Sequence, residues 1–386
     1  MSSFIAAARA TVDELPRIAL FDLQRQRARL ERDIRRRMDA VLAHGQFILG
    51  PEVDELEKEL ARFSGAAHAI TVSSGRDALA IALMAMKVGP GDAVFVPAFT
   101  FAASAGSVVS VGAEPVFVDV DPATFNLDAA DLERAVVETE QAGRLVPRAV
   151  MPVDLYGLPA DYSAIAPVAA RHGLKVLADA AQSFGGGMGN ARVGALAPVS
   201  ATSFYPTKPL GCYGDGGAIL AEDAEVAEQV RMIRSHGRAG TGDEAVVLGL
   251  TARLDTLQAA VLLAKLAVFE QELERRAAIA ARYTAALKGA VVTPAIPVGG
   301  RSAFALYTIR VPNRDAVRAK LDAAGIGTGL FYRLALHQHP AFQAYAGRAL
   351  PISEKMANET LSLPVHPDLT DAEVDRVIAA TLAAVR

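Results

Sequence analysis

The chain has 386 residues, 52% hydrophobic and 21% charged, with a net charge of −4. Such a length allows two or three domains with sizeable cores, and the acidic balance argues against a general nucleic-acid binder. Cys212 is the only cysteine, which excludes an internal disulfide and a cysteine-based zinc site. No apolar run approaches the roughly 20 residues of a membrane helix.

Residues 1–17 lack a basic stretch before their short apolar run and read as a loose N-terminal extension rather than a signal peptide. A cytoplasmic location follows as the expectation. Residues 24–44 predict an amphipathic helix with Leu30, Ile34, Met38, Val41 and Leu42 on one face. Pro51 suits the first turn of a second helix, with Val53, Leu56, Leu60 and Phe63 inward. A strand at 68–73 then runs into Ser74-Gly75-Arg76-Asp77 and an Ala/Leu/Ile-rich helix. A strand–glycine–helix junction leaves free N–H groups at a positive helix end, where an anion fits. Strands follow at 93–96, 115–118 and 149–153, with helices near 129–137 and 160–172. The run 174–178 ends in Asp179-Ala180-Ala181-Gln182-Ser183, and 222–235 is helical. This alternation predicts an α/β fold with a largely parallel sheet covered on both faces.

Arg253-Leu254-Asp255 opens a long predicted helix ending near residue 287, and the domain boundary is placed there. Beyond it, 304–311 and 327–332 read as strands, and 314–324 and 371–385 as helices. The organisation is an extension (1–17), a large domain (18–252) and a smaller C-terminal α+β domain (253–386).

Two stretches carry the chemistry. In V-S-A-T-S-F-Y-P-T-K-P-L-G-C-Y-G-D-G-G-A-I-L, Lys208 stands between Pro206 and Pro209 and precedes four glycines. The prolines predict a rigid, non-helical loop, on which a desolvated lysine becomes a nucleophile. Asp179, at the end of a buried parallel strand, lies where open α/β sheets place ligands. Lysine, acid and glycine turn together suggest a pyridoxal phosphate (PLP) site. That cofactor needs a lysine for its aldehyde, an acid for its ring nitrogen and N–H donors for its phosphate. Metal-binding patterns are absent; His337-Gln338-His339 reads as loop.

S-F-Y-P-T-K-P-L-G-C-Y-G-D-G-G-A-I, with D-A-A-Q-S-F and R-L-D-T-L-Q-A-A, resembles the nucleotide-sugar aminotransferases of the DegT/DnrJ/EryC1/StrS family. The lysine loop looks most like the enzymes that aminate C3 of UDP-2-acetamido-3-oxo-glucuronate. The resemblance implies PLP fold type I, as in aspartate aminotransferase, with PLP on Lys208 and Asp179 at the ring nitrogen. It places Ser74, Gly75, Arg76 and Ser203 at the phosphate, Phe101 against the ring and Gln182 at the phenolic oxygen. Thr251 aligns with a residue that reaches the partner subunit's phosphate, in a homodimer with sites at the subunit interface. Asp154, Arg253, Tyr332 and His337 are the candidates for the sugar nucleotide, with glutamate as amino donor. The chain departs from the family pattern at Arg76 (threonine is usual), Thr251 (asparagine), Asp154 (histidine or serine), and Arg333 and Ala335 (prolines). Lys208 argues against the family's dehydratases, which carry histidine there. Two alternatives stay open: an aminotransferase for an NDP-4-keto-6-deoxy sugar, and a non-catalytic regulatory member.

Overall fold

The computed structural model describes residues 16–240 and 242–386, so most of the expected N-terminal extension lies outside the described residues. The chain runs through α1 (Leu23–His44), α2 (Pro51–Ser64), β1 (His68–Val72), α3 (Gly75–Ala85), β2 (Asp92–Pro97), α4 (Ala102–Ser110) and β3 (Glu114–Val118). It continues through α5 (Ala129–Ala142), β4 (Val146–Val150), α6 (Tyr162–Arg171), β5 (Lys175–Asp179) and the short β6 (Gly187–Met188) and β7 (Ala191–Arg192). Then come β8 (Val199–Ser203), β9 (Gly217–Ala221), α7 (Ala224–Arg234), α8 (Thr256–Leu266) and α9 (Phe269–Leu287). The C-terminal part holds β10 (Gly300–Arg301), β11 (Tyr307–Arg310), α10 (Arg314–Ala323), α11 (Pro351–Glu359), β12 (Thr360–Leu363) and α12 (Asp371–Ala384).

Seven strands form one sheet in the order β1-β9-β8-β5-β4-β2-β3. The ladder is parallel from β8 to β3, and only β9 runs against its neighbours, so the expected mostly parallel α/β sheet is present. Residue alternation sends side chains to two faces. Val94, Val96, Ile70 and Ile219 meet Leu79 and Ile81 of α3 and Val230 of α7. On the other face, Ala93, Phe95 and Val150 meet α5 and α6, while Ala218 and Leu220 meet α2 and α8. Burial on both faces explains why these strands read as unbroken apolar runs. A second core gathers β11 and β12 with α9, α10 and α12, and Ile18 joins it by bridging Ile326.

Several expectations are corrected. Leu42 is 59% exposed, because it falls beside the stripe made by Leu30, Ile34 and Val41. The long helix expected from residue 253 is two helices: α8 starts only after the extended Asp255, and Val268 leaves helical dihedrals at φ −114°. The boundary at Arg253 does not separate the cores. Apolar α8 packs on α1 and α2 beneath the large sheet, and only α9 crosses to the second core. Residues 327–332 form no strand; Gly329 alone pairs with Ser362, and the chain then turns toward the large sheet's strand ends.

Candidate active site

The parallel strands end at a cavity of about 330 Å³. Asp179 closes β5, Ser203 closes β8, and Thr100-Phe101 follow β2. Ser74, Gly75, Arg76, Phe101, Asp179, Gln182, Ser203, Lys208 and Tyr332 all line it, so most of the expected site is brought together.

Lys208 lies in a turn closed by its own N–H donating to the Tyr205 carbonyl at 2.8 Å. The residue as a whole is only partly buried, but surrounding protein atoms desolvate its ammonium. That burial pushes its pKa down to about 8, while the Asp179 charge pulls it upward. The neutral amine that a nucleophile requires is therefore reached at a lower pH than for an ordinary lysine.

Asp179 is 4% exposed, and burial raises its pKa. Ser104 Oγ donates to Asp179 Oδ2 at 2.7 Å and the Ala181 N–H to Oδ1 at 3.2 Å; both favour the charged carboxylate, as does the Lys208 charge. Ser104 sits on α4, a run of small residues without an apolar stripe, so neither the helix nor this support was legible in the sequence. Gln182 is held at both ends: Oε1 accepts from the Tyr156 N–H at 2.7 Å and Nε2 donates to Tyr332 Oη at 3.0 Å. Tyr156 also donates its hydroxyl to the Phe331 carbonyl. It thereby ties the strand-end wall of the cavity to the wall contributed from the C-terminal part. Phe101, 56% exposed, turns its ring toward Tyr332 at 5.8 Å between centroids.

The opposite end is an anion cradle. Ser74 caps α3 by accepting from the Asp77 N–H at 3.0 Å, leaving the first N–H groups of that 11-residue helix beside Ser203. Gly75 is required by proximity: a Cβ there would lie 2.5 Å from Ser203 Cβ. Arg76 adds an exposed guanidinium at the rim.

Four expected residues do not face this cavity. Asp154 is 1% exposed and accepts from the Ala160 N–H, Tyr162 Oη and Ser183 Oγ, so it fastens the loop after β4 instead of meeting substrate. His337 packs on Phe117 and pairs through Nε2 with Glu354 at 3.0 Å, turned away from the site. Thr251 is exposed, with its hydroxyl 3.3 Å from His236 Nε2. Arg253 is half-buried and, among the described residues, forms no ion pair, with Asp255 or otherwise.

The model of the DegT/DnrJ/EryC1/StrS aminotransferase family matches residues 28–382. The chain belongs to this family. This aminotransferase is 45% identical over 364 residues to the UDP-2-acetamido-2-deoxy-3-oxo-D-glucuronate aminotransferase of Pseudomonas aeruginosa, covering 94% of this chain and 99% of that protein. It is 44% identical to the pleiotropic regulatory protein of Geobacillus stearothermophilus, covering 94% and 96%. The solved structure of NtdA from Bacillus subtilis with bound cofactor PMP is similar at 30% identity and a TM-score of 0.88, covering 96% of this chain and 86% of that one. The family's cofactor is pyridoxal phosphate, and the residues of this aminotransferase fit it. An amine with a lowered pKa stands beside a buried carboxylate in one cavity, and a close-packed helix N-terminus supplies donors for a phosphate. Among the described residues no helix is long and apolar enough to cross a membrane.

Proposed function

We propose that this aminotransferase moves an amino group from glutamate to a keto-sugar nucleotide, at C3 of a UDP-linked 3-oxo sugar, in the cytoplasmic synthesis of surface polysaccharide or O-antigen. The observation that carries the reading is the pairing of Lys208 and Asp179 in one cavity headed by the α3 N-terminus. The Pseudomonas relative's substrate supports the choice of sugar. The Geobacillus relative's name would favour a regulatory role, but Lys208 and Asp179 are both present and poised. A regulator has no need of them.

PLP, when bound, supplies an aldehyde for the amine and a ring that accepts electrons from the substrate carbon. Lys208 Nζ is the amine that would hold that aldehyde. Lys208 would also serve as the base for the donor's Cα proton and then as the acid that returns it. Asp179 would keep the ring nitrogen protonated by ion pairing, with its carboxylate held by Ser104. Gln182 would donate to the phenolic oxygen. Ser74, Gly75, Arg76 and Ser203 would hold the phosphate. Phe101 would lie against the cofactor ring, and Tyr332 would line the wall that receives the sugar.

The reading includes a twofold homodimer in which Thr251 and Arg253 reach the neighbouring site. The preceding loop carries exposed Val246, Leu248 and Leu250, and Leu248 is 89% exposed. Exposed Phe47, Ile48 and Leu49 lie beside the same segment, for the Phe47 carbonyl accepts from the Thr256 N–H. A second copy would cover both. The test of the function is to load the protein with pyridoxamine phosphate and add keto-sugar nucleotides one at a time. Return of the aldehyde absorbance with a UDP-3-oxo sugar supports the proposal; return only with 4-keto-6-deoxy sugars moves the substrate, and no return with any overturns it.

A further inference from the structure

One fully buried cation has no part in the chemistry above. Lys265, on α8, is 1% exposed and forms no ion pair among the described residues. Its Nζ donates to the Gly211 carbonyl at 2.6 Å and lies 4.4 Å from the centroid of the Tyr213 ring. Two turns earlier on the same helix face, Gln258 Oε1 accepts from the Tyr213 N–H at 2.8 Å. Residues 211–213 are therefore gripped by one face of α8. The grip passes on to the lysine turn. Gly211 packs so closely on it that a Cβ would lie 2.5 Å from the Pro206 carbonyl oxygen, and the Cys212 N–H donates to the Phe204 carbonyl at 2.8 Å. An ammonium buried without a carboxylate is a costly way to fill space, and an apolar side chain of the same length would pack more cheaply. What the ammonium adds is direction: a carbonyl and a ring face fixed at one point.

We propose that Lys265 is a positioning residue that clamps the 206–214 loop to α8 and so holds Lys208 at the cavity wall. The link to cofactor capture rests on the reading of Lys208 given above; the clamp itself does not. Lys265→Met keeps the length and removes the charge, and Lys265→Arg keeps charge and donors. Amide hydrogen exchange is measured on the cofactor-free proteins, followed by PLP release from the loaded ones. For Lys265→Met, exchange at the Lys208 and Cys212 amides is expected to speed up about tenfold, the loss of roughly one net hydrogen bond. β5 and β8 are expected to be unchanged, PLP release to quicken in parallel, and Lys265→Arg to restore part of both. Tyr213→Leu removes only the ring face and is expected to loosen the same peptides by less, which keeps the test available should Lys265→Met fold poorly. Unchanged loop exchange, or a rise shared equally by the whole sheet, overturns the clamp. Because exchange is read without cofactor, failure of the PLP reading leaves that result standing.

Discussion

Asp154 and Asp179 sit side by side at neighbouring strand ends, each N–H bonded to the other's stretch of chain, yet they serve different ends. Burial raises Asp154's pKa to about 6 against the pull of three hydrogen-bond donors. Those donors are all protein groups, so the carboxylate is spent on holding the 154–162 loop. Asp154→Ala leaves the Ala160 N–H and the Tyr162 and Ser183 hydroxyls without their acceptor. It is expected to lower stability by roughly 2–5 kcal/mol in urea unfolding while PLP affinity changes little; a stable variant with impaired sugar binding would restore Asp154 to the substrate. Lys208 gives the pH dependence. Its folded pKa is lowered, so the reactive neutral amine is present above about 8. The rate of PLP attachment is expected to climb with pH and level off above that point. A climb continuing to the ordinary lysine range, above about 10, would contradict a desolvated amine.

At the scale of elements, the N-terminus of α3 heads the cavity, and Gly75 is its point of closest approach to Ser203. Gly75→Ala drives a methyl into Ser203 and forces β8 and α3 apart. PLP affinity is expected to fall about tenfold or more, the worth of one charge-assisted hydrogen bond, with the sheet still folded by circular dichroism. An unchanged affinity would remove α3 from the phosphate site. This cradle was legible in the sequence because strand, glycine and helix cap are all local signals. So were Lys208 between its prolines and Asp179 at the end of an apolar run. The orientation of Asp154 and His337 was not, because it depends on Ser183 and Glu354, residues distant in the chain. α4 lacked an apolar stripe. β12 follows α11 directly, with no glycine or proline between them, so its strand shows only through pairing with β11. The break between α8 and α9 carries no helix-breaking residue, and it lies within one core: Phe269 and Leu273 of α9 still pack with Leu262 and Leu263 of α8 before Ile279 and Tyr283 enter the second core.

For the molecule as a whole, the segment 251–256 joins the loop bearing Leu248 to α8, and α8 in turn supports the lysine loop. A second copy seated there would tie assembly to catalysis. Mixed dimers test it: a Lys208→Ala subunit and an Arg253→Ala subunit, each impaired alone, are expected to regain activity on mixing, in the one site that keeps both residues. No recovery despite proven subunit exchange would put Arg253 in the same chain's site. The most direct measurement for the whole account is the absorbance of PLP-loaded protein on addition of glutamate. The wild type is expected to lose its aldehyde band in a single turnover and release one 2-oxoglutarate per site, while Lys208→Ala, though folded and able to bind PLP, does neither. A wild-type band indifferent to glutamate and to other amino donors, or a Lys208→Ala variant that bleaches at the wild-type rate, would contradict it.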